Sequence, residues 1–209
     1  MDDSRTVFLV DDDPSVRRAL TRLIKAARYS VEPFASARDF LEFWGATDER
    51  RIACLVLDVR MPGLSGLDLH RELQSRNTLL PTIFVTSHGD IPMTVKAMKD
   101  GAVDFLPKPV KDSELLRAIE QALARAELER GVLQKTEDLQ RRLKTLTPRE
   151  RDVMKLVVRG LLNKQIAFEL GTVEKTVKVH RARVMEKMEV QSLAELVRIV
   201  ERAGIGKDG

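Results

Sequence analysis

Val7-Phe-Leu-Val-Asp-Asp-Asp-Pro14 decides the reading of this chain. Four apolar residues run directly into three acids and a proline. The apolar run is too short for a helix and has no polar alternation, so it reads as a strand covered on both faces. Asp13 followed by Pro14 reads as an N-cap and first helical residue. The stretch is therefore a strand, an acidic turn and a helix.

The same grammar repeats outward. Apolar runs recur at Val31–Phe34, Ala53–Leu57, Thr82–Val85 and Asp104–Leu106. Helical patterns lie between and after them, at 14–27, 36–44, 66–75, 92–100 and 112–126. Ser65-Gly66 and Lys111-Asp112 look like helix entries. Five strand–helix units in sequence predict an α/β fold over residues 1–124, a five-stranded doubly wound parallel sheet with helices on both faces. Pro33 removes a ladder donor and predicts an edge or irregular strand for the second run.

Residues 147–209 lack strand-like alternation and read as four short helices near 148–160, 163–170, 174–187 and 192–203. Thr147-Pro-Arg-Glu150 and Ser192-Leu-Ala-Glu195 have capping-box spacing. Gly160 and Gly171 stand where helix ends take a left-handed residue. Between the two parts, residues 125–146 are charged, lack proline and contain only Gly131, which predicts a helical linker continuing from the front domain. Val132, Leu139 and Leu146 recur every seven residues. That spacing fits a coiled-coil seam or a single helix packing on its own domain.

The 209 residues suffice for two small domains, and 43% hydrophobic with 33% charged residues excludes a disordered chain. One cysteine, Cys54, excludes an intrachain disulfide and suits a reducing, cytoplasmic setting. No apolar run approaches membrane-spanning length, and Asp2 and Asp3 argue against a signal peptide. The net charge of +4 is unevenly spread: −2 over residues 1–124, +2 over 125–146 and +4 over 147–209. A basic rear part suggests a nucleic-acid partner.

In a doubly wound sheet the C-terminal strand ends meet at the ligand crevice. Asp11 and Asp12 follow the first strand and Asp58 follows the third. Three carboxylates brought together call for a hard cation, and Mg²⁺ fits an all-oxygen set. Thr86 ends the fourth strand with a hydroxyl and Lys108 ends the fifth with an amine. Together they offer a carboxylate nucleophile, a metal site and donors for equatorial oxygens, as phosphoryl transfer needs. Each residue alone has a plainer reading as a turn or surface group; for Asp13, capping is the expected role.

In the rear part, Asn163–Leu170, Gly171 and Glu174–Arg181 read as helix–turn–helix. Ile166, Ala167 and Leu170 form an inner face, with Val177 and Val184 on the core side of the second helix. Lys175, Lys178, Val179, Ala182 and Arg183 then lie outward, suited to a major groove. With three scattered histidines a metal cluster is not expected, and His180 is expected to pack or hydrogen-bond within its helix.

Phe8-Leu-Val-Asp-Asp-Asp13, Leu57-Asp-Val-Arg-Met-Pro-Gly-Leu-Ser-Gly66, Val85-Thr-Ser-His88 and Phe105-Leu-Pro-Lys-Pro109 resemble the receiver domain of two-component response regulators, whose fold is CheY-like. Leu146-Thr-Pro-Arg-Glu150, Gly160, Asn163-Lys-Gln-Ile-Ala167 and Thr176-Val-Lys-Val-His180 resemble the LuxR-type DNA-binding domain. The whole chain is similar to NarL/FixJ-type transcriptional regulators. The resemblance implies that Asp58 accepts a phosphoryl group from a sensor kinase histidine. It implies Mg²⁺ on Asp12, Asp58 and the Arg60 carbonyl, with Asp11 joined through water. Thr86 and Lys108 would bind phosphoryl oxygens, Phe105 would be the aromatic switch, and the Lys108–Pro109 bond would be cis. It further implies a homodimer when phosphorylated, promoter DNA as ligand and RNA polymerase as partner. Lys178, Val179 and Ala182 would touch bases, and Lys164, Lys175, Arg181 and Arg183 phosphates. Thr172-Val173 departs from the family, which more often has a small polar residue second; the turn is where this should tell.

Two other classes remain to compare. An aspartyl-phosphate phosphohydrolase of the haloacid-dehalogenase type usually has an Asp two residues after its nucleophile, where this chain has Arg60, and there is no large capping insertion. A DNA-binding protein with a degenerate receiver conflicts with the complete set of Asp11, Asp12, Asp58, Thr86 and Lys108. The chain is thus expected to be a regulator and not an enzyme.

Overall fold

Every apolar run of the front half forms a strand: β1 (Thr6–Val10), β2 (Ser30–Phe34), β3 (Ala53–Asp58), β4 (Thr82–Thr86) and β5 (Asp104–Pro107). The computed structural model describes residues 5–45, 51–76, 78, 80–87 and 91–202. Between the strands run α1 (Pro14–Ala26), α2 (Ala37–Gly45), α3 (Gly66–Ser75) and α4 (Ile91–Lys99), and after β5 comes α5 (Asp112–Thr145). The strands are all parallel, in the order β2-β1-β3-β4-β5. Pro33 lies on β2, an edge strand, as its missing donor requires.

The apolar runs are continuous because both faces of the sheet are covered. Alternate residues point to opposite sides. Phe8, Val10, Leu55, Leu57 and Phe84 join Phe40, Trp44, Leu69, Leu73 and Ala97 from α2, α3 and α4. Val7, Leu9, Val56, Ile83 and Val85 join Leu20 and Ile24 of α1 and Leu115, Ile119 and Leu123 of α5. Each such large side chain, once fully buried, contributes about 1.5–3 kcal/mol. The expected helix entries are present: Asp13 Oδ1 accepts from the backbone N–H of Ser15 and Val16, with Pro14 as first helical residue. Ser65 Oγ accepts from Asp68 N–H at the start of α3.

The order reverses beside β1: the chain adds β2 on one side of it, then crosses to place β3 on the other. The crevice therefore opens where β1 and β3 end, beside Asp11, Asp12 and Asp58.

The chain divides into two compact units, Met1–Gly131 and Val132–Gly209. Helix α5 covers the expected linker as one helix through Thr145. In the front unit it buries Leu115, Ala118, Ile119, Ala122 and Leu123. In the rear unit Leu143 and Leu146 enter the apolar core and Leu139 packs against it. Of the residues spaced by seven, Leu139 and Leu146 thus serve the unit's own core, while Val132 is exposed.

The rear unit comprises α6 (Pro148–Val158), α7 (Asn163–Glu169), α8 (Glu174–Lys187) and α9 (Leu193–Arg202). Thr147 and Glu150 complete the capping box of α6: Thr147 Oγ1 accepts from Glu150 N–H at 3.3 Å, and Glu150 Oε2 accepts from Thr147 N–H at 2.9 Å. The second such spacing closes differently, because Ser192 Oγ accepts from Glu195 N–H while Glu195 accepts from Gln191 N–H. Gly171 takes φ +59° in the turn between α7 and α8, a left-handed position that favours glycine. Ile166, Ala167, Val177, Val184, Met188 and Leu196 are buried together.

Candidate functional site

Strand ends set the acidic site. Asp11 follows β1 and is 1% exposed; Asp58 ends β3 and is 7% exposed. Asp12 is exposed beside them. One carboxylate oxygen from each of Asp11, Asp12 and Asp58 lies within 4.8 Å of the others. These are hard oxygen donors, one face of the cluster is open through Asp12, and the set fits a divalent cation.

Lys108, just past β5, supplies the counter-charge. Its Nζ donates to Asp58 Oδ2 at 2.6 Å and to Asp11 Oδ2 at 2.8 Å. The Lys108–Pro109 bond is cis. Lys108 N–H donates to the carbonyl of Thr86 at 2.8 Å, tying the ends of β4 and β5 together. Thr86 itself is buried at the same edge. Burial pushes the Asp11 carboxyl above the usual carboxylate range, against the pull of Lys108. Burial also disfavours the Lys108 ammonium, but its bonds to Asp11 and Asp58 outweigh this and hold its pKa above the ordinary lysine value.

The loop after Asp58 is held against the strand. Arg60 N–H donates to Asp58 Oδ1 at 3.2 Å, and Gly66 N–H donates to the Val59 carbonyl at 3.0 Å. A Cβ at Gly66 would stand 2.1 Å from the Asp58 carbonyl oxygen. Neither the helix entry at Ser65-Gly66 nor the quoted receiver motif marks this approach; that only glycine can pass so close is a fact of the fold. Arg17, too, was not singled out. Its Nη1 donates to the carbonyls of Asp11 and Asp12, at 2.6 and 3.2 Å. The only sequence signal was a basic residue on the first turn after an acidic loop.

Phe105 is half-buried on β5, its ring centroid 6.0 Å from that of Phe84. His88, within the quoted receiver motif, lies outside the described residues. His70 is buried, with Nδ1 3.2 Å from Thr82 Oγ1 and Nε2 3.0 Å from the Asp100 carbonyl. Burial holds its pKa below the ordinary histidine value.

In the rear unit, Lys175, Lys178, Val179, Ala182 and Arg183 are all exposed on α8, opposite buried Val177 and Val184. Lys164 is exposed on α7. Lys178 Nζ lies 3.4 Å from Glu174 Oε1, an exposed pair worth little. Arg181 differs from its neighbours: half-buried, it donates from Nη1 to Asn163 Oδ1 at 3.2 Å and joins α8 to α7. His180 is half-buried as expected for packing, but its buried Nδ1 has no hydrogen-bond partner among the described residues, so the expected bond within the helix is not made by that atom. Val173 is the N-cap of α8 and provides no side-chain cap, so the departure at Thr172-Val173 does tell in the turn.

Comparisons with known proteins agree with both halves. The family described as the response regulator receiver domain matches residues 7–120. The family of bacterial regulatory proteins of the luxR type matches residues 144–200. Nodulation protein W of Bradyrhizobium diazoefficiens is 52% identical over 199 residues, covering 95% of this chain and 86% of that protein. The transcriptional regulatory protein FixJ of the same organism is 41% identical, with 97% of each chain covered. The solved structure of the response regulator StyR is 49% identical and superposes with a TM-score of 0.88, covering 95% of this chain and 99% of that one. A receiver fold with its acidic strand ends, joined to a helix–turn–helix unit, and these likenesses along nearly the whole length lead to one conclusion: the chain belongs to the NarL/FixJ-type response regulators, transcriptional regulators with a receiver and a LuxR-type DNA-binding domain.

Proposed function

We propose that Asp58 is the phospho-acceptor and that its modification by a sensor histidine kinase controls promoter binding. The observation that carries this reading is the ion-paired set at the strand ends, with Lys108 held by both Asp58 and Asp11. An Asp58 carboxylate oxygen attacks the phosphorus of the kinase phosphohistidine. The P–N bond breaks and its electron pair returns to the imidazole. Lys108 changes partners, exchanging a carboxylate oxygen for a phosphoryl oxygen at a distance it already spans. The Thr86 hydroxyl is the second donor for that group. Asp11, Asp12, Asp58 and the Arg60 carbonyl would hold Mg²⁺, which when bound supplies positive charge to the transferring oxygens.

A phosphoryl group adds about two negative charges at this rim. Thr86 is drawn toward it and Phe105 follows into the freed space, which alters the surface of α4 and β5. Ile91, Val95 and Met98 stand exposed on one side of α4, at helical spacing. Such a stripe supports pairing with a second copy in the phosphorylated form. In the rear unit the outer side of α8 enters the major groove. Lys178, Val179 and Ala182 meet base edges, and Lys164, Lys175, Arg181 and Arg183 meet phosphates; Arg181 keeps Asn163 as its anchor. Activity on promoters places the protein in the cytoplasm, with RNA polymerase as a further partner. Among the described residues no helix is long and apolar enough to cross a membrane.

Intact mass after incubation with Mg²⁺ and a small phosphodonor tests the reading. One added phosphoryl group in wild type and none in Asp58→Asn is the expected result. Equal labelling of both proteins would remove Asp58 from the role.

A further inference from the structure

We infer that Arg17 is a positioning residue for the divalent-cation site, acting through the backbone of the acidic turn. The inference rests on the assignment of that site to Asp11, Asp12 and Asp58.

The turn from β1 to α1 leaves strand geometry just where two metal-facing acids stand. Asp11 N–H still bonds to the Phe34 carbonyl at 3.3 Å. Asp13 N–H closes on Asp11 Oδ1 at 2.9 Å, and the Asp13 side chain is occupied in capping α1. The carbonyls of Asp11 and Asp12 are met from another direction. Arg17 reaches back from the first turns of α1, and a single Nη1 serves both oxygens. Its own backbone N–H donates to the Asp13 carbonyl at 2.9 Å, so the base of the side chain is as fixed as the helix.

Two consecutive peptide planes are thereby held from one point. Those planes set where the Asp12 Cα–Cβ bond aims. Asp11 has Lys108 and Asp13 N–H to orient its carboxylate. Asp12 is exposed, and among the described residues its carboxylate has no hydrogen bond or ion pair. Its placement toward Asp11 and Asp58 is set through the backbone, and Arg17 holds the peptide planes on either side of it. Groups that orient metal ligands from behind typically change metal affinity by tenfold or more when removed.

Charge and position make opposite predictions. A guanidinium near three carboxylates repels a cation, so a purely electrostatic Arg17 would weaken Mg²⁺ binding, and its removal would tighten it. A positioning Arg17 does the reverse. Arg17→Met and Arg17→Gln separate the two effects, because glutamine drops the charge and keeps an N–H₂ donor.

The test titrates Mg²⁺ into the full chain by calorimetry. In parallel, phosphorylation by a small phosphodonor is followed against Mg²⁺ concentration. Arg17→Met should bind Mg²⁺ about tenfold more weakly. Its half-saturating Mg²⁺ concentration should rise in step, while the labelling rate at saturating Mg²⁺ stays within about twofold of wild type. Arg17→Gln should recover part of the affinity. Unchanged or tighter Mg²⁺ binding by Arg17→Met overturns the inference. So does an equal loss in Arg17→Gln and Arg17→Met together with a lower saturated rate, which is the mark of general damage to the fold. If wild type binds Mg²⁺ but takes up no phosphoryl group from the small donor, that result bears on the phospho-acceptor reading alone, and calorimetry still decides the role of Arg17.

Discussion

Lys108 Nζ stands 2.6 Å from Asp58 Oδ2, so the proposed nucleophile rests as half of an ion pair shared with Asp11. The ammonium keeps two largely buried carboxylates from facing each other uncompensated. Lys108→Met should destabilise the front unit by about 3 kcal/mol, the lower end for breaking a buried pair, because the lysine is partly exposed. Urea unfolding without divalent cations measures this. Added Mg²⁺ should restore more stability to the variant than to wild type, because it replaces the missing positive charge.

Gly66 passes tight against the backbone of Asp58. A methyl group there meets the Asp58 carbonyl oxygen, which is backbone and cannot swing aside. Gly66→Ala should cost about 1–3 kcal/mol as overpacking and slow phosphoryl uptake by displacing the loop of Arg60. Thermal unfolding and the intact-mass assay read the two effects. A variant with wild-type melting would show that the loop yields freely.

Val173 leaves the start of α8 without a side-chain cap. Val173→Ser should add one, stabilising the rear unit by about 0.5–2 kcal/mol. The exposed valine side chain contributes little packing to lose. Denaturant unfolding followed by helix signal checks the gain.

Lys178 projects exposed from α8 and pairs loosely with Glu174. If it meets a base edge, Lys178→Ala should lower affinity for the promoter site by about 1–3 kcal/mol and narrow the gap between specific and random DNA. Lys175→Ala, at a phosphate, should instead weaken both alike and reduce the slope of log affinity against log salt by about one. Titrations at several salt concentrations separate the two. Identical behaviour of both variants would reassign Lys178 to the backbone.

Glu150 is 1% exposed and receives the Lys187 ammonium at 2.6 Å. The Lys187 bond first, then Thr147 N–H, holds its carboxyl below the ordinary glutamate value. A lowered folded pKa gives stability that is complete above the unfolded value and is lost as pH falls through the folded one. The rear unit should therefore weaken only as pH falls through and below the ordinary glutamate range, and Glu150→Gln should flatten that part of the profile while lowering stability at neutral pH. Melting temperature against pH measures both.

How much of this was legible beforehand follows from range. Val7–Val10 and its counterparts showed their strands because a sheet covered on both faces demands unbroken apolar runs. Asp13 and Thr147 showed helix starts because capping is decided within four residues. Topology then carried Asp11, Asp12, Asp58, Thr86 and Lys108 to one edge, so the acidic site could be read from strand ends alone. Arg17, Gly66 and the bond of Arg181 to Asn163 escaped because they depend on one oxygen or amide brought close by the fold. Nothing in the local pattern marks Gly66 as facing Asp58, or Arg181 as facing Asn163. The spacing of Val132, Leu139 and Leu146 was ambiguous for the same reason, since heptad spacing does not say which partner fills it.

Leu143 and Leu146 close the apolar interior of the rear unit, and Leu139 lies against it, although all three precede the first helix of the LuxR-type pattern. Modules of this sort can be exchanged between genes only along seams that leave each interior shut. A joint made at Thr147 would hand on a DNA reader with its floor removed. A joint upstream of Leu139 would hand it on whole. What can be inherited as one piece is therefore longer than what touches the promoter.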